Sequence, residues 1–146
     1  MKISVQAAPF DLGAELSEFG TGRADVGAVV SFTGIVRDDS GQMHALELEH
    51  YPGMTEAAIT RIAQEAVERW DLADALVIHR HGRLAIGETI MMVATAARHR
   101  AAAFEAAEFL MDYLKSRAPF WKKEHGPGGT SWVEAKDTDE AALKRW

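Results

Sequence analysis

The segment ALVIHRHGRLAIGETIMMVAT at residues 75–95 distinguishes between two fold classes for this chain. Its two apolar stretches, residues 75–81 and 88–95, lie on either side of a short segment that contains Gly82 and Gly87. Apolar runs of this length that are bounded by glycines predict two strands joined by a turn. A pair of strands that meets in a hairpin favours an α+β fold over a doubly wound parallel sheet.

Two further strands are predicted before this segment. Residues 26–36 are rich in Val, Ile, Phe and Thr, and residues 45–51 alternate leucine with glutamate. The residues between them include the sequence Asp-Asp-Ser-Gly at 38–41, which is typical of a turn. We therefore expect these two strands to form an antiparallel hairpin with one face exposed to water.

Two long amphipathic helices complete the predicted domain. Apolar residues recur at helical spacing over residues 54–70, and residues 101–118 are strongly helical up to Pro119. The shorter predicted elements are a helix at residues 11–19 and a last strand at residues 131–135. No repeat or linker divides the 146 residues. The sequence therefore predicts a single α+β domain over residues 1–146, built mainly of antiparallel hairpins.

The composition excludes several kinds of chemistry. The chain has no cysteine, which excludes disulfides, thiolate metal sites, iron–sulfur clusters and a cysteine nucleophile. The first residues do not form an apolar signal core, and no apolar run approaches about 18 residues, so we expect a cytoplasmic protein. The net charge of −6 argues against a dedicated nucleic-acid or membrane-surface protein.

One segment reverses the negative charge of the whole chain. Between Arg98 and Lys123, six Lys or Arg residues stand against three acidic residues, so the segment carries +3. Arg98, His99 and Arg100 come at the start of the second long helix, where free N–H groups and the helix dipole already favour an anion. This end of the helix could therefore bind a phosphate or a carboxylate. The alternative is that the three side chains point into water or pair with acidic residues elsewhere.

The other end of this helix carries a second group of cations. Lys115 lies in the last turn, and two aromatic residues, Phe120 and Trp121, precede Lys122 and Lys123 after the helix has ended. Ammonium groups that cluster beside apolar rings depress one another's pKa, which is a common way to obtain a neutral lysine near pH 7. A solvated basic surface is the alternative interpretation.

Histidines and glycines provide two further motifs. His79 and His81 have a spacing compatible with a metal site on one face of a strand, and His44 and His50 could join them. No pattern for a third ligand is present, so we expect no metal. The glycine-rich residues 126–129 lack the Lys-Ser/Thr of a phosphate-binding loop, and we expect them to form a flexible loop.

Several stretches together resemble one family, the large catalytic subunit of molybdopterin synthase, called MoaE. They are GAVVSFTGIVR (27–37), LEHYPGM (48–54), IHR (78–80), RHR (98–100) through MDYLK (111–115), RAPFWKKE (117–124) and WVEA (132–135). The resemblance covers nearly the whole chain, and ordered blocks over that length are more specific than any single motif. It implies a fold like the α/β-hammerhead.

The resemblance also implies a sulfurtransferase of molybdenum cofactor biosynthesis. Such enzymes convert cyclic pyranopterin monophosphate to molybdopterin by inserting two sulfurs. The donor is the thiocarboxylated carboxyl terminus of a small ubiquitin-like subunit of the MoaD type, which agrees with the lack of cysteine in this chain. The implied assembly is a homodimer of large subunits with one small subunit at each end, a heterotetramer with the pterin site near the dimer interface. No cofactor is implied.

The same resemblance implies roles for individual residues. Lys115 and Lys122 correspond to two catalytic lysines beside which the tail of the partner would end. We expect a groove that leads to Lys115 and is lined partly by Phe120 and Trp121. The residues that correspond to substrate-binding groups or the site wall are Arg37, His99, Arg100, Lys123 and Glu124. Clustered cations of this kind would offset the repulsion between a thiocarboxylate and a phosphate.

Other functions stay open from the residues alone. A non-catalytic module that binds a phosphorylated metabolite would use the same basic segment. Lys115→Ala would lower its affinity only modestly, whereas the same change would lower the turnover of a synthase by orders of magnitude. A histidine-based metalloenzyme would contain stoichiometric Zn, Fe or Mn. The sequence indicates neither which lysine performs which step nor whether a neighbouring subunit contributes to the site.

Overall fold

The computed structural model describes residues 1–134 and 136–146, and this part of the chain forms two four-stranded sheets and two long helices. The strands are β1 (Lys2–Gln6), β2 (Ala28–Ile35), β3 (Ala45–His50), β4 (Asp74–Arg80), β5 (Gly82–Ala85), β6 (Thr89–Ala97), β7 (Phe120–Gly126) and β8 (Gly129–Val133). The helices are α1 (Leu12–Glu18), α2 (Met54–Trp70), α3 (Arg100–Arg117) and α4 (Asp137–Ala142), followed by a 3-10 turn at Leu143–Arg145. Among the described residues, no helix combines the length and the apolar character needed to cross a membrane.

The first sheet has the strand order β1-β4-β6-β2. β6 is antiparallel to both β4 and β2, whereas β1 is parallel to β4. α2 and α3 cover one face of this sheet, where Ile59, Phe109 and Val93 belong to one buried apolar cluster. α1 covers the other face and packs against Leu76 and Met92. The predicted α+β class with mainly antiparallel strands is confirmed.

The second sheet has the order β5-β3-β7-β8 and is antiparallel throughout. Its apolar residues Leu48 and Leu84 are buried together with Val36. β7 begins directly after Pro119, which cannot continue a helix. The last turn of α3 and the first residues of β7 therefore stay close to each other.

The predicted hairpin between residues 26–36 and 45–51 is wrong. β2 pairs with β6 in the first sheet, whereas β3 lies between β5 and β7 in the second. The carboxylate of Asp38 accepts hydrogen bonds from the backbone N–H groups of Ser40 and Met43, so the connection folds on itself instead of reversing tightly. Both strands find their partners in residues that come later in the chain.

The segment 75–95 contains one strand more than predicted. β4 and β6 pair in antiparallel fashion as expected, with Leu76 opposite Ala94. The connection between them contains β5, which joins the second sheet beside β3. β5 begins at Gly82 and is followed by Gly87, and their φ angles of 91° and 89° suit glycine. These glycines let the chain leave the first sheet and return to it.

The other predicted elements are present, whereas β1, β7 and α4 were not predicted. α2 has the predicted bounds, and α3 is displaced by one residue from residues 101–118. Residues 126–129 are the turn of the β7–β8 hairpin, with Gly126 opposite Gly129, and not the flexible loop that we expected. The last strand ends at Val133, and Ala135 at the end of the predicted range lies outside the described residues.

Candidate active site

A cavity of about 610 Å³ opens where both sheets meet the carboxyl end of α3. Its apolar wall includes Phe32, Met91, Met111 and Phe120. Its ionisable side chains are Arg37, Asp38, Asp39, His79, Lys115, Lys122, Glu124 and Lys136. A volume of this size, with an apolar wall and a few polar groups, is typical of a small-molecule site.

Lys115 and Lys122 reach this cavity from neighbouring elements. Lys115 lies in the last turn of α3, and Lys122 lies on β7, which follows the break at Pro119. Burial lowers the pKa of Lys122, and the positive charge of Lys115 lowers it further. Both lysines therefore line one cavity, as the prediction of clustered cations at this end of α3 requires.

The carboxyl-terminal part of the chain adds charges that the sequence analysis did not identify. Lys136, which directly precedes α4, lines the cavity, and its charge also lowers the pKa of Lys122. Asp139 of α4 acts in the opposite direction and raises the pKa of Lys122. The signal for Lys136 was the predicted last strand, because a strand paired with β7 brings the following residues back to the end of α3.

His79 belongs to the cavity wall, although its sequence pattern had raised only a metal site. Its ring stacks on Phe120 with the ring centroids 3.9 Å apart, and its Nδ1 lies 2.8 Å from the carbonyl oxygen of Arg80. Burial lowers the pKa of His79 to about 4, so the imidazole is neutral near pH 7. The ring of His81 packs against that of His50, with the centroids 4.1 Å apart.

Two of the residues implied to bind substrate lie at the rim of the cavity. Arg37 follows β2, is largely exposed, and has its guanidinium nitrogen 3.5 Å from the carboxylate of Asp39. Glu124 lies on β7 on the same side as Lys122, because alternate residues of a strand face the same way. The rim therefore offers both a cation and an anion to a ligand.

Lys123 lies on the opposite face of β7. Its Nζ is 2.8 Å from the Oε1 of Glu49 and 4.4 Å from the centroid of the Trp132 ring. The hydrogen bond to Glu49 raises the pKa of Lys123. Trp121 shares this outer face and packs edge-on against Tyr51, so the expectation that Trp121 lines the groove is wrong.

His99 and Arg100 lie at the other end of α3. His99 is the N-cap residue and Arg100 the first helical residue, and both are exposed. A helix rises about 1.5 Å per residue, which puts Arg100 about 22 Å from Lys115 along the axis. Neither side chain makes a hydrogen bond or ion pair with residues 1–134 or 136–146. Within one chain, the structure thus does not bring these two residues to the cavity.

Comparisons with known proteins agree on one family. The MoaE protein family matches residues 5–117. The molybdopterin synthase catalytic subunit of Cereibacter sphaeroides is 68% identical over 146 residues, with 100% of both chains covered. The structure is similar to that of the molybdopterin biosynthesis MoaE protein from Burkholderia ambifaria, with a TM-score of 0.85, 51% identity, and coverage of 99% of this chain and 97% of that one.

A more distant solved structure has the same fold. The molybdopterin synthase from Staphylococcus aureus is 32% identical and gives a TM-score of 0.81, with coverage of 90% of this chain and 96% of that one. The family match covers most of the chain, and the relatives match it from end to end. The chain belongs to the MoaE protein family.

Proposed function

We propose that this chain is the catalytic subunit of a molybdopterin synthase. In this role it is a sulfurtransferase that converts cyclic pyranopterin monophosphate to molybdopterin in the biosynthesis of the molybdenum cofactor. Two sulfurs come from the thiocarboxylated carboxyl terminus of a small ubiquitin-like subunit. Relatives that are similar over the whole chain carry the name of this catalytic subunit.

The observation that carries the proposal is the presence of Lys115 and Lys122 at one cavity. A lysine whose pKa is lowered by burial and by a neighbouring cation supplies a larger fraction of neutral amine near pH 7. Lys122 can therefore accept a proton or capture an acyl group. The positive charge of Lys115 can offset the negative charge of a thiocarboxylate.

The electrostatics of the cavity suit two anionic reactants. A cyclic phosphate and a thiocarboxylate repel each other when both leave water for a partly apolar site. Lys115, Lys122 and Lys136 line the same cavity, and Arg37 lies at its rim. The positive charges of Lys115, Lys136 and Arg37 lower the cost of bringing the two anions together, while Lys122 supplies the amine. Glu124 is proposed to orient one of them.

A second copy of the chain is proposed to complete the site. His99 and Arg100 lie about 22 Å along α3 from Lys115, too far to touch the same small ligand. β2 is an edge strand of the first sheet, and its Val29 and Phe32 are exposed. An exposed apolar edge of this kind suits a homodimer contact. The proposed dimer brings His99 and Arg100 of one chain to the cavity of the other.

The small subunit is proposed to bind at each end of this dimer, with its flexible tail in the cavity. Residues 1–146 act as one domain in this assembly, and the reaction is proposed to take place in the cytoplasm. Lys123 keeps its implied role as a prediction, although Glu49 engages its side chain on the outer face of β7.

Reconstitution tests the proposed reaction. The purified chain is mixed with a thiocarboxylated small subunit and the cyclic phosphate pterin, and the mass of the product is followed. We expect a gain of two sulfurs and no conversion without the small subunit. Lys115→Ala separates this reaction from mere binding, because a synthase loses turnover by about 100-fold or more whereas a binding module loses only some affinity. Binding of the pterin without conversion by the complete system would contradict the proposal.

Complementation tests the second copy. A chain with His99→Ala and Arg100→Ala is co-expressed with a chain carrying Lys115→Ala, each with its own tag. Each variant alone is expected to be inactive. In a mixed dimer one of the two sites has all groups intact, so an equal mixture recovers about a quarter of the wild-type rate. A mixture as inactive as its components would show that one chain supplies all these residues.

A further inference from the structure

Two contacts fix the orientation of His79 in the cavity wall. Its Nδ1 lies 2.8 Å from the carbonyl oxygen of Arg80, and its ring stacks on Phe120 with an interplanar angle of 20°. The far end of the side chain, which carries Nε2, is used by neither contact. His79 is one of the residues that line the cavity. The ring thus has one defined orientation and one free polar atom.

The hydrogen bond at Nδ1 determines which ring nitrogen carries the proton. A carbonyl oxygen can only accept, so Nδ1 must donate. Burial, assisted by the charges of Lys122 and Lys115, lowers the pKa of His79 to about 4, and the ring is neutral near pH 7. A neutral ring with its proton on Nδ1 has a bare Nε2, which is a hydrogen-bond acceptor.

Lys122 lines the same cavity as His79. Phe120 and Lys122 are alternate residues of β7, so they face the same side, about 7 Å apart along the strand. His79 is stacked on that same Phe120 ring. Of the two lysines whose charges act on His79, Lys122 has the stronger effect. The flexible stem of Lys122 is long enough to bridge this separation.

We propose that His79 is a positioning residue whose Nε2 accepts a hydrogen bond from the side-chain nitrogen of Lys122. The inference rests on the proposed sulfur transfer, in which Lys122 acts as an amine. A neutral amine has one lone pair, and an N–H bond directed at His79 turns that lone pair away from the imidazole. The lone pair then faces the reacting groups, as proton transfer or acyl capture requires.

The charged groups around Lys122 could not replace a neutral acceptor. Those that line the cavity with it are Arg37, Asp38, Asp39, Lys115, Glu124 and Lys136. The cations among them only donate hydrogen bonds. A carboxylate would accept, but it would also favour the charged ammonium, as Asp139 does when it raises the pKa of Lys122. A neutral imidazole favours the ammonium less than a carboxylate does. It can therefore orient the nitrogen while a larger fraction of Lys122 stays neutral.

Three variants separate the acceptor from the stacking. His79→Phe keeps a flat ring against Phe120 and removes the acceptor, whereas His79→Gln retains an acceptor near the position of Nε2. His81→Phe is the matched control, because it changes a neighbouring histidine that packs against His50. Melting temperatures verify that each variant is folded, and His79→Leu provides the same comparison if phenylalanine does not fit.

The first measurement needs no substrate. Acylation of Lys122 by acetic anhydride is followed by peptide mass spectrometry as a function of pH, with the exposed Lys144 as internal reference. Loss of a hydrogen bond that also stabilises the ammonium lowers the pH midpoint of Lys122 in His79→Phe by about half a unit. The midpoint stays near the wild-type value in His79→Gln and His81→Phe.

The second measurement uses the complete synthase. His79→Phe is expected to lower kcat by about tenfold with little change in KM, and His79→Gln to restore kcat to within about threefold of wild type. Equal values for His79→Phe and wild type would overturn the positioning role, as would equal losses in the folded Phe and Gln variants. The wild-type chain could convert no pterin while the pH midpoint of Lys122 acylation is still lower in His79→Phe. In that case the positioning role is supported and the proposed function fails.

Discussion

The two faces of β7 place two adjacent lysines in different environments. On the inner face, Lys122 lies at the cavity beside Phe120, and burial lowers its pKa. On the outer face, Lys123 lies beside Glu49 and the Trp132 ring, and the hydrogen bond to Glu49 raises its pKa. The two lysines are adjacent in sequence, yet their pKa values move in opposite directions.

The alternation of the strand is the cause of this difference. Successive side chains of a strand point to opposite sides, so a pair of adjacent lysines is divided between two environments. The inner environment is rich in cations and poor in water, which favours a neutral amine. The outer environment supplies carboxylates, which favour an ammonium. Charge counted along the sequence therefore overestimates the charge of the cavity.

The largest expected effect comes from replacing each lysine by alanine. Lys122→Ala is expected to lower kcat by about 100-fold to 10,000-fold, because it removes the proposed proton acceptor or nucleophile. Lys123→Ala is expected to lower kcat by less than about tenfold, since its contacts on the outer face are with side chains of the protein. Turnover of the reconstituted synthase measures both.

The matched pair also tests the role that resemblance implies for Lys123. If the two variants lose activity equally, Lys123 acts on the reaction despite its position on the outer face. Circular dichroism verifies that both variants are folded. A loss confined to Lys122 would limit the active site to the inner face of β7.

The sequence could predict the elements that depend on local pattern. The apolar spacing of residues 54–70 predicted α2 with the observed bounds, and Pro119 marked the end of α3 closely. The pairing of strands was predictable only where both partners lay in one recognisable segment, as for β4 and β6. β1, β5 and β7 were missed. β1 pairs with the distant β4, β5 is a short insertion that joins the other sheet, and β7 pairs with the distant β3.

The site could be predicted only in part, for a related reason. Lys115 and Lys122 were identified because they lie close together in the sequence, on either side of the helix break at Pro119. His79 and Lys136 come from distant segments, and sheet pairing alone brings them to the cavity. The separation of His99 from Lys115 follows from the length of a helix, and that length was readable from the sequence.

The aromatic residues of β7 provide a second contrast between its faces. Phe120 is partly buried, stacks on His79 and packs against the main apolar cluster, so Phe120→Leu is expected to lower the free energy of unfolding by about 1–2 kcal/mol. Trp121 is exposed and contacts Tyr51 edge-on, so Trp121→Leu is expected to cost about 0.5–1 kcal/mol. Urea denaturation measures both values.

Activity sharpens this second contrast. Phe120→Leu removes the ring on which His79 rests, so kcat should fall together with stability. Trp121→Leu should change stability alone. A fall in kcat with Trp121→Leu that exceeds the fall with Phe120→Leu would show that the outer face, and not the cavity, sets the rate.

The smallest expected effect is in the pH dependence of stability, where the two lysines have opposite signs. Between its lowered folded pKa and the ordinary value of 10.5, Lys122 binds more protons in the unfolded chain, so its contribution to stability rises with pH. Lys123 has a raised folded pKa, so its contribution is present below 10.5 and is lost as the pH rises through the folded value.

Melting temperatures should therefore show Lys122→Met above wild type near pH 7, with the difference closing towards pH 10.5. Lys123→Met should start below wild type and converge with it only at still higher pH. Added salt should reduce the difference for Lys123 more than that for Lys122, because the outer pair lies closer to solvent. A difference for Lys122→Met that is independent of pH would mean that packing, and not the cost of a buried charge, separates the two faces.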